Sequence, residues 1–327
     1  MSQLYKRFVN ERVQPLVGKV RQIRNCTIIA HIDHGKTTLA DSLIASSGLL
    51  SKEVAATARL LDSDQIEQQR GITIKASGIS LVHTKGEAAH LVHLVDTPGH
   101  IDFSSHVTRG LRLTDGAIVL VDVIEGIMVQ TETVTRQAMK ELVRPVLLVN
   151  KVDRLITERR LSPTKTAAEI NRTVREFNTM LGKYLSDDIL EKWEVSFRRQ
   201  SLAVGSALDK WAIDIQSLKK RTEGSEEPSR LAEAFMEILE EITHAYGEGR
   251  EKTLTTQYPI ADAVLDAVIA SVPSPDCAQA YRIPSFWTGE TSSTSGRALL
   301  ACDPSGPCIL LVADVQPDIH ANTAASV

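Results

Sequence analysis

Aromatic side chains are scarce in this 327-residue sequence, at 4% of the total. A core must therefore rest on Leu, Ile, Val and Ala. Cysteine is also sparse, and Cys26, Cys277, Cys302 and Cys308 show no paired spacing. That excludes a disulfide framework and a cysteine-based zinc site, and makes a cytoplasmic location the simplest expectation. No apolar run is long enough for a signal-peptide core or a membrane span, so no membrane partner is expected. An excess of positive charge is missing too. The net charge of −4 gives no bulk attraction to polyanions. What remains, 43% apolar and 24% charged residues, is the composition of a globular chain able to bury a full core.

Short apolar runs alternate with helical patterns from residue 25 onward. Cys26–Ala30, Leu91–Val95, Ala117–Val121 and Val146–Val149 are continuously apolar and bounded by turn or polar residues. Such runs suit strands buried on both faces of a parallel sheet. Thr37–Ser47 and Gln130–Leu142 are long enough for crossover helices, and TKGE at 84–87 can turn Ile74–His83 back as a hairpin into Leu91–Val95. The sum is an α/β, doubly wound, mostly parallel sheet.

The flanks read differently. Residues 1–24 carry Lys6, Arg7, Arg12, Lys19, Arg21 and Arg24 against Glu11, with Leu4, Phe8, Val9, Val13 and Leu16 at helical spacing, which predicts a basic amphipathic helix up to Pro15. Stretches 154–200 and 208–257 are charged and helical, with Leu231, Phe235, Ile238, Leu239 and Ile242 forming one packing stripe. After the apolar helix Ile260–Val272, the run PSPDCAQAYRIPS predicts a linker. Ala298–Cys302 and Cys308–Val315 then predict two strands around the turn DPSGP.

The chemistry is concentrated in three places. AHIDHGKT, Ala30 to Thr37, follows a strand and opens a helix, and departs from the phosphate-loop pattern only in Ala30, where that pattern has glycine. Amides of the helix N-terminus suit a phosphate, Lys36 can reach its oxygens, and Thr37 can offer a hydroxyl to Mg²⁺. The same loop holds His31, Asp33 and His34, which with His100, Asp102 and His106 can be drawn as a dinuclear metallohydrolase site. Two further stretches favour the phosphate loop. Asp96-Thr97-Pro98-Gly99 and Asn150-Lys151-Val152-Asp153 each end a strand, so all three motifs fall at the carboxyl edge of one sheet, where open α/β sheets bind ligands. Asp96 suits Mg²⁺ through water, and the Gly99 amide can face a γ-phosphate.

The last motif selects the base. A carboxylate only accepts hydrogen bonds, so Asp153 suits the N1–H and N2 amine of guanine. Adenine would leave it unpaired, at a cost on the order of a few kcal/mol. The Lys151 stem can lie along the base while Asn150 braces the loop. Gly205-Ser206-Ala207 can supply a backbone N–H to the guanine O6.

AHIDHGKTT, RGITI (70–74), DTPGHIDF (96–103) and NKVD (150–153) together resemble the G domain of translational GTPases, most closely the elongation factor 2 family of ribosomal translocases. That family carries alanine where the standard loop has its first glycine. GSALDKWAI (205–213) and YRIPSFWTGE (281–290) are similar to it as well. The resemblance implies a basic N-terminal segment at 1–24, a GTP-binding domain at 25–272 with its helical insertions, and a linker with an incomplete β-barrel domain at 273–327. It implies that Ala30, His31, Ile32, Asp33, His34, Gly35, Lys36, Thr37 and Thr38 cradle GTP or GDP, with Asp96 to His100, Asn150 to Asp153, Ser206 and Ala207. Mg²⁺ would be held through Thr37, Thr73 and Asp96, and a monovalent cation through Asp33. His100 would orient the attacking water, beside Gly99. Ile32 and Ile72 would form an apolar gate in front of His100, although ordinary packing explains two isoleucines as well. The ribosome is the implied partner and a monomer the implied state. The family's later domains have no counterpart here, which leaves a fragment, a truncated gene or a paralogous regulatory GTPase as alternatives to a translocase.

Overall fold

A computed structural model of the chain describes residues 7–47, 77–96, 104–310, 316–318 and 323–325. Its centre is a seven-stranded sheet in the order β2-β3-β1-β4-β5-β6-β7. The strands are β1 (Ile23–Ala30), β2 (Ser77–Lys85), β3 (Ala88–Asp96), β4 (Gly116–Asp122), β5 (Arg144–Asn150), β6 (Leu202–Ser206) and β7 (Trp211–Ile213). β3, β1, β4, β5 and β6 run parallel, while β2 and β7 pair antiparallel at the two edges. The hairpin read from TKGE forms, with Lys85 opposite Ala88.

Two-residue alternation divides each central strand between two cores. Ile28, Ala30, Ile118, Leu120, Val146 and Leu148 face one side. Their neighbours Ile29, Val119, Val121, Leu147 and Val149 face the other. The first side is covered by α1 (Lys36–Ser46), through Leu39, Leu43 and Ile44, by the long apolar helix Ile260–Ser271, and by Phe8, Val13 and Leu16 of the N-terminal segment. The second is covered by α2 (Ser104–Leu113), α3 (Val129–Lys140) and the helical insertions. Those insertions are α4 (Val152–Thr157), α5 (Pro163–Gly182) and α6 (Asp187–Trp193) between β5 and β6, then α7 (Ile215–Arg221) and α8 (Pro228–Gly247) after β7. Leu231, Phe235, Ile238, Leu239 and Ile242 of α8 are all buried, so the stripe read from sequence is core. Each such side chain contributes about 1.5–3 kcal/mol. The helix Ile260–Ser271 is α9.

β1 has β3 on one side and β4 on the other, and the chain leaves these strands in opposite directions. The carboxyl end of β1 is thus a topological switch point, and the 30–36 loop sits on it.

Three sequence expectations need correction. The run read as a linker is a helix, α10 (Pro275–Phe286). Pro275 occupies its first turn, where no amide is needed, and Pro284 falls near its end, so prolines that signal a linker are tolerated. The strand expected at Ala298–Cys302 is also helical, as α11 (Thr294–Ala301). Its short apolar run fits either structure, and the Ser293 hydroxyl, accepting the Gly296 N–H at 3.0 Å, caps the helix. The second expected strand, Cys308–Val315, has no strand over 308–310, and 311–315 lie outside the described residues; β8 (Gln316–Asp318) and β9 (Thr323–Ala325) beyond it form an antiparallel pair. At the N-terminus the helical run continues through Pro15 to Val17. A π turn over Val9–Val13 precedes the proline and gives Gln14 N–H the Val9 carbonyl as its acceptor.

α10 is fixed by Arg282. Its guanidinium, 4% exposed, donates to Asp115 Oδ1 at 2.7 Å, to the carbonyls of Leu111 at 3.0 Å and Glu141 at 3.1 Å, and to Thr114 O. Arg282→Ala takes the cationic partner from the buried Asp115 carboxylate, which keeps only the Asn25 amide at 3.0 Å, and removes a donor from several carbonyls. The expected loss is about 3–5 kcal/mol of unfolding free energy, measured by urea titration. Arg282→Lys should recover little of it, because an ammonium cannot span acceptors placed around a planar fork.

Candidate functional site

The loop after β1 reverses direction through two residues with positive φ, Asp33 at 63° and Gly35 at 101°. Asp tolerates this region better than most residues, and Gly35 has a second reason to lack a side chain. A Cβ there would lie 2.6 Å from Asn150 Nδ2. α1 begins at the next residue, Lys36, so its first-turn amides open at the carboxyl edge of the sheet.

Asn150 ends β5 and is 1% exposed. Its Nδ2 donates to the His34 carbonyl at 2.7 Å, and its Oδ1 accepts the Ala207 amide at 2.8 Å. One side-chain amide therefore joins the phosphate-loop candidate to the segment after β6. Of the Gly205-Ser206-Ala207 amides offered to guanine O6, that of Ala207 is engaged by Asn150.

His34 is fully buried and held from both sides. The Asp122 amide donates to Nδ1 at 3.3 Å, which places the ring proton on Nε2, 3.1 Å from Glu125 Oε2. Burial pushes the His34 pKa below its ordinary value, and Glu125 acts in the opposite sense. The His31 ring meets His34 edge-on, with centroids 5.1 Å apart.

Asp122 at the end of β4 is a buried acid with its charge met by several donors. It receives the Ile124 amide at 2.7 Å, Lys151 Nζ at 3.0 Å and Arg154 Nη1 at 3.3 Å. Burial raises its pKa, but the Ile124 N–H and Lys151 outweigh it and hold the carboxyl below its usual range. Lys151 itself has φ of 61°, a left-handed turn that brings its ammonium back over the strand end. Neither Asp122 nor Glu125 was singled out from sequence. An acid closing the apolar run AIVLVD was the available signal.

Asp153, in the first turn of α4, is 8% exposed, and its Oδ1 is buried without a hydrogen-bond partner among the described residues. Burial raises its pKa, opposed by the Ser206 hydroxyl beside it. Ser206 and Val152 are fully buried, Thr37 is exposed and Thr38 half-buried, and Ile32 is 41% exposed at the loop's outer face. The arrangement is a row of backbone amides at a helix start, followed by a dry acceptor two strands away.

Asp96 ends β3 with Ile28 as its register partner, one strand from the loop. Its side chain lies outside the described set, as do Ile72, Thr73, Thr97, Pro98, Gly99, His100 and Asp102, and the side chain of His106. The metallohydrolase alternative loses His34, whose two ring nitrogens are already bonded. Among the described residues no group of three or more His, Cys, Asp or Glu is placed to hold a metal ion. No helix among them is long and apolar enough to cross a membrane.

Comparison with known proteins matches residues 21–274 to the elongation factor Tu GTP binding domain. Elongation factor 2 of Cenarchaeum symbiosum is 44% identical over 315 residues, covering 96% of this chain and 41% of that protein. Elongation factor 2 of Aeropyrum pernix is 43% identical over 310 residues, covering 94% and 40%. That of Methanocaldococcus jannaschii is 42% identical over 314 residues, covering 96% and 41%. The chain spans about two fifths of the length of these curated relatives. With the phosphate-loop geometry and the Asn150 clamp on one sheet edge, the chain belongs to the elongation factor Tu GTP-binding domain family and is similar, over most of its length, to elongation factor 2.

Proposed function

We propose that this chain binds GTP and GDP at the carboxyl edge of its sheet and hydrolyses GTP as the G domain of a ribosomal translocase. The observation that carries the nucleotide reading is the orphaned Asp153 Oδ1, a buried acceptor aimed at no protein donor among the described residues. Guanine offers two parallel N–H groups to such a carboxylate. In this reading Lys151 lies along the base, its ammonium steadied by Asp122. Asn150 keeps the base segment in register with the phosphate loop, while Ser206 and Ala207 border the base. Residues Ala30 to Thr38 wrap the phosphates, with the α1 amides and Lys36 as the donors.

Thr37, in the first turn of α1, and Asp96, at the neighbouring strand end, are hard oxygen donors of the kind Mg²⁺ prefers, with Thr73 as a third. When bound with the nucleotide, Mg²⁺ would neutralise phosphate charge. The described residues lend no support to a monovalent cation at Asp33. Water attacks the γ-phosphorus, the bond to the β–γ bridging oxygen breaks, and GDP and phosphate leave. His100 would orient that water next to Gly99, and Ile32 with Ile72 would restrain His100 until the ribosome repositions it. Residues 25–272 would be the GTP-binding unit, preceded by the basic segment at 1–24, with 273–327 leading into a second domain. A monomer in the cytoplasm is the simplest setting. A regulatory, ribosome-associated GTPase without translocation would share every one of these residues.

The guanine reading is tested with fluorescent GDP against ADP, with and without Mg²⁺. GDP should bind far more tightly than ADP, and Asp153→Ala should weaken GDP by about a hundredfold. Equal affinity for the two nucleotides, or GDP binding indifferent to Asp153→Ala, would remove it.

For catalysis, His100→Ala should leave GTP affinity nearly intact and lower ribosome-stimulated turnover by about a hundredfold or more. Retained stimulation would exclude the role given to His100.

The buried His34 adds a pH dependence. Its folded pKa lies below that of an unfolded histidine, about 6.5. As pH falls through that value the unfolded chain takes up a proton that the folded site resists, so the His34 contribution to stability is present above pH 6.5 and declines below it. Thermal midpoints of the GDP complex should therefore fall between pH 7 and 5.5. His34→Asn, which keeps an acceptor for the Asp122 amide, should flatten part of that acid limb. An unchanged limb would show that other groups cause it.

A further inference from the structure

The segment that follows β6 is held by more than Asn150. The Ser206 hydroxyl, beside the Asp153 carboxylate, accepts the Asp209 amide at 3.1 Å. Lys210 then takes a left-handed φ of 60°, and Trp211 drops its ring completely into the core. Asp209 is half-buried at the turn, and its own backbone carbonyl accepts the Thr255 hydroxyl at 2.9 Å.

The Asp209 carboxylate is met by Tyr246, from the last turn of α8 in the second helical insertion. The Trp211 indole N–H donates to the same phenol oxygen at 2.9 Å. With one donor already directed at it, the phenol has a defined orientation, and its proton goes to Asp209. A continuous polar chain thus runs from Trp211 through Tyr246 and Asp209 to Ser206 and Asp153, from the insertion to the acceptor assigned to guanine. Burial raises the Tyr246 pKa, and the Asp209 hydrogen bond adds to it, so the phenol stays a donor. Asp209 is also a like charge that raises the Asp153 pKa. Fixing its position fixes how far it disfavours a charged Asp153.

We infer that Tyr246 is a positioning residue for guanine recognition: from α8 it holds the Asp209 turn that keeps Ser206 against the Asp153 carboxylate. None of the nucleotide motifs includes Tyr246, which lies 40 residues beyond Ser206 in sequence. The inference rests on the reading of Asp153 as the guanine acceptor. It makes the second insertion part of the base site.

The test uses the full chain and compares GDP with inosine diphosphate, whose base lacks the N2 amine and so one of the two donors to Asp153. Tyr246→Phe keeps the ring and removes the hydroxyl. It should weaken GDP about threefold to tenfold while changing inosine diphosphate affinity less than about twofold, so the preference between them narrows. Asp209→Asn, which still accepts the phenol proton, should retain the preference, and Asp209→Ala should behave like Tyr246→Phe. On an Asp153→Ala background Tyr246→Phe should add nothing. Equal weakening of both nucleotides would reduce Tyr246 to a packing role, and no change in either would overturn the inference. The reading beneath it is scored separately on the unaltered chain. Equal binding of GDP and ADP there would take both down, whereas a strong GDP preference over ADP together with a preference over inosine diphosphate unchanged by Tyr246→Phe would overturn only the role of Tyr246.

Discussion

The site depends on one neutral amide. Asn150 sits where water is excluded, at the end of a strand buried on both faces, and its two functional atoms satisfy groups on two different loops. Without it the His34 carbonyl and the Ala207 amide would each be left unpaired, a cost of about 1–3 kcal/mol apiece. An aspartate in its place would have no N–H for the carbonyl and would bring a charge into a dry position. The absence of a side chain at Gly35 follows from the same atom, because Asn150 Nδ2 fills the space a Cβ would need. Spacing between the phosphate loop and the base segment is therefore set by the width of one carboxamide.

Most of the buried charge around this amide is answered locally. Asp122 meets a backbone amide, Lys151 and Arg154, and its own N–H orients His34. Asp115 is answered in the same way by Arg282. Asp153 differs from both, because one of its oxygens has no partner among the described residues. Four buried aspartates among the described residues, three of them (Asp115, Asp122 and Asp214, the last accepting from Ser217) with donors and Asp153 with an orphaned oxygen, are the contrast expected between acids that hold structure and one that waits for a ligand.

Much of the parallel sheet was legible because its strands are continuously apolar and end in recognisable motifs. The runs at Cys26–Ala30, Ala117–Val121 and Val146–Val149 became β1, β4 and β5 with extensions of at most three residues at an end. Residues after 272 misled for a physical reason. Prolines at 273, 275 and 284 signal a break only if their amides are required, and neither Pro275 nor Pro284 stops α10. ALLAC is too short for periodicity to separate strand from helix, so the Ser293 cap decided it. In the site, the motif residues were legible by type and spacing. Asp122, Glu125 and Tyr246 were not, because each acts on a motif residue through a contact that folding creates across 28 residues or more. The use of the Ala207 amide by Asn150 was hidden for the same reason.

Arg282 has a consequence for mechanics. Its planar fork grips the last carbonyls of α2 and the Asp115 carboxylate just beyond, where the chain turns into β4. α2 begins at Ser104, directly after the DTPGHIDF segment, and α10 carries the chain away from the sheet. Displacing the end of α2 by more than a hydrogen bond's tolerance must either break several charge-assisted bonds together or carry α10 with it. The two helices share a rivet, and a tilt imposed on one is delivered to the other as rotation about that point.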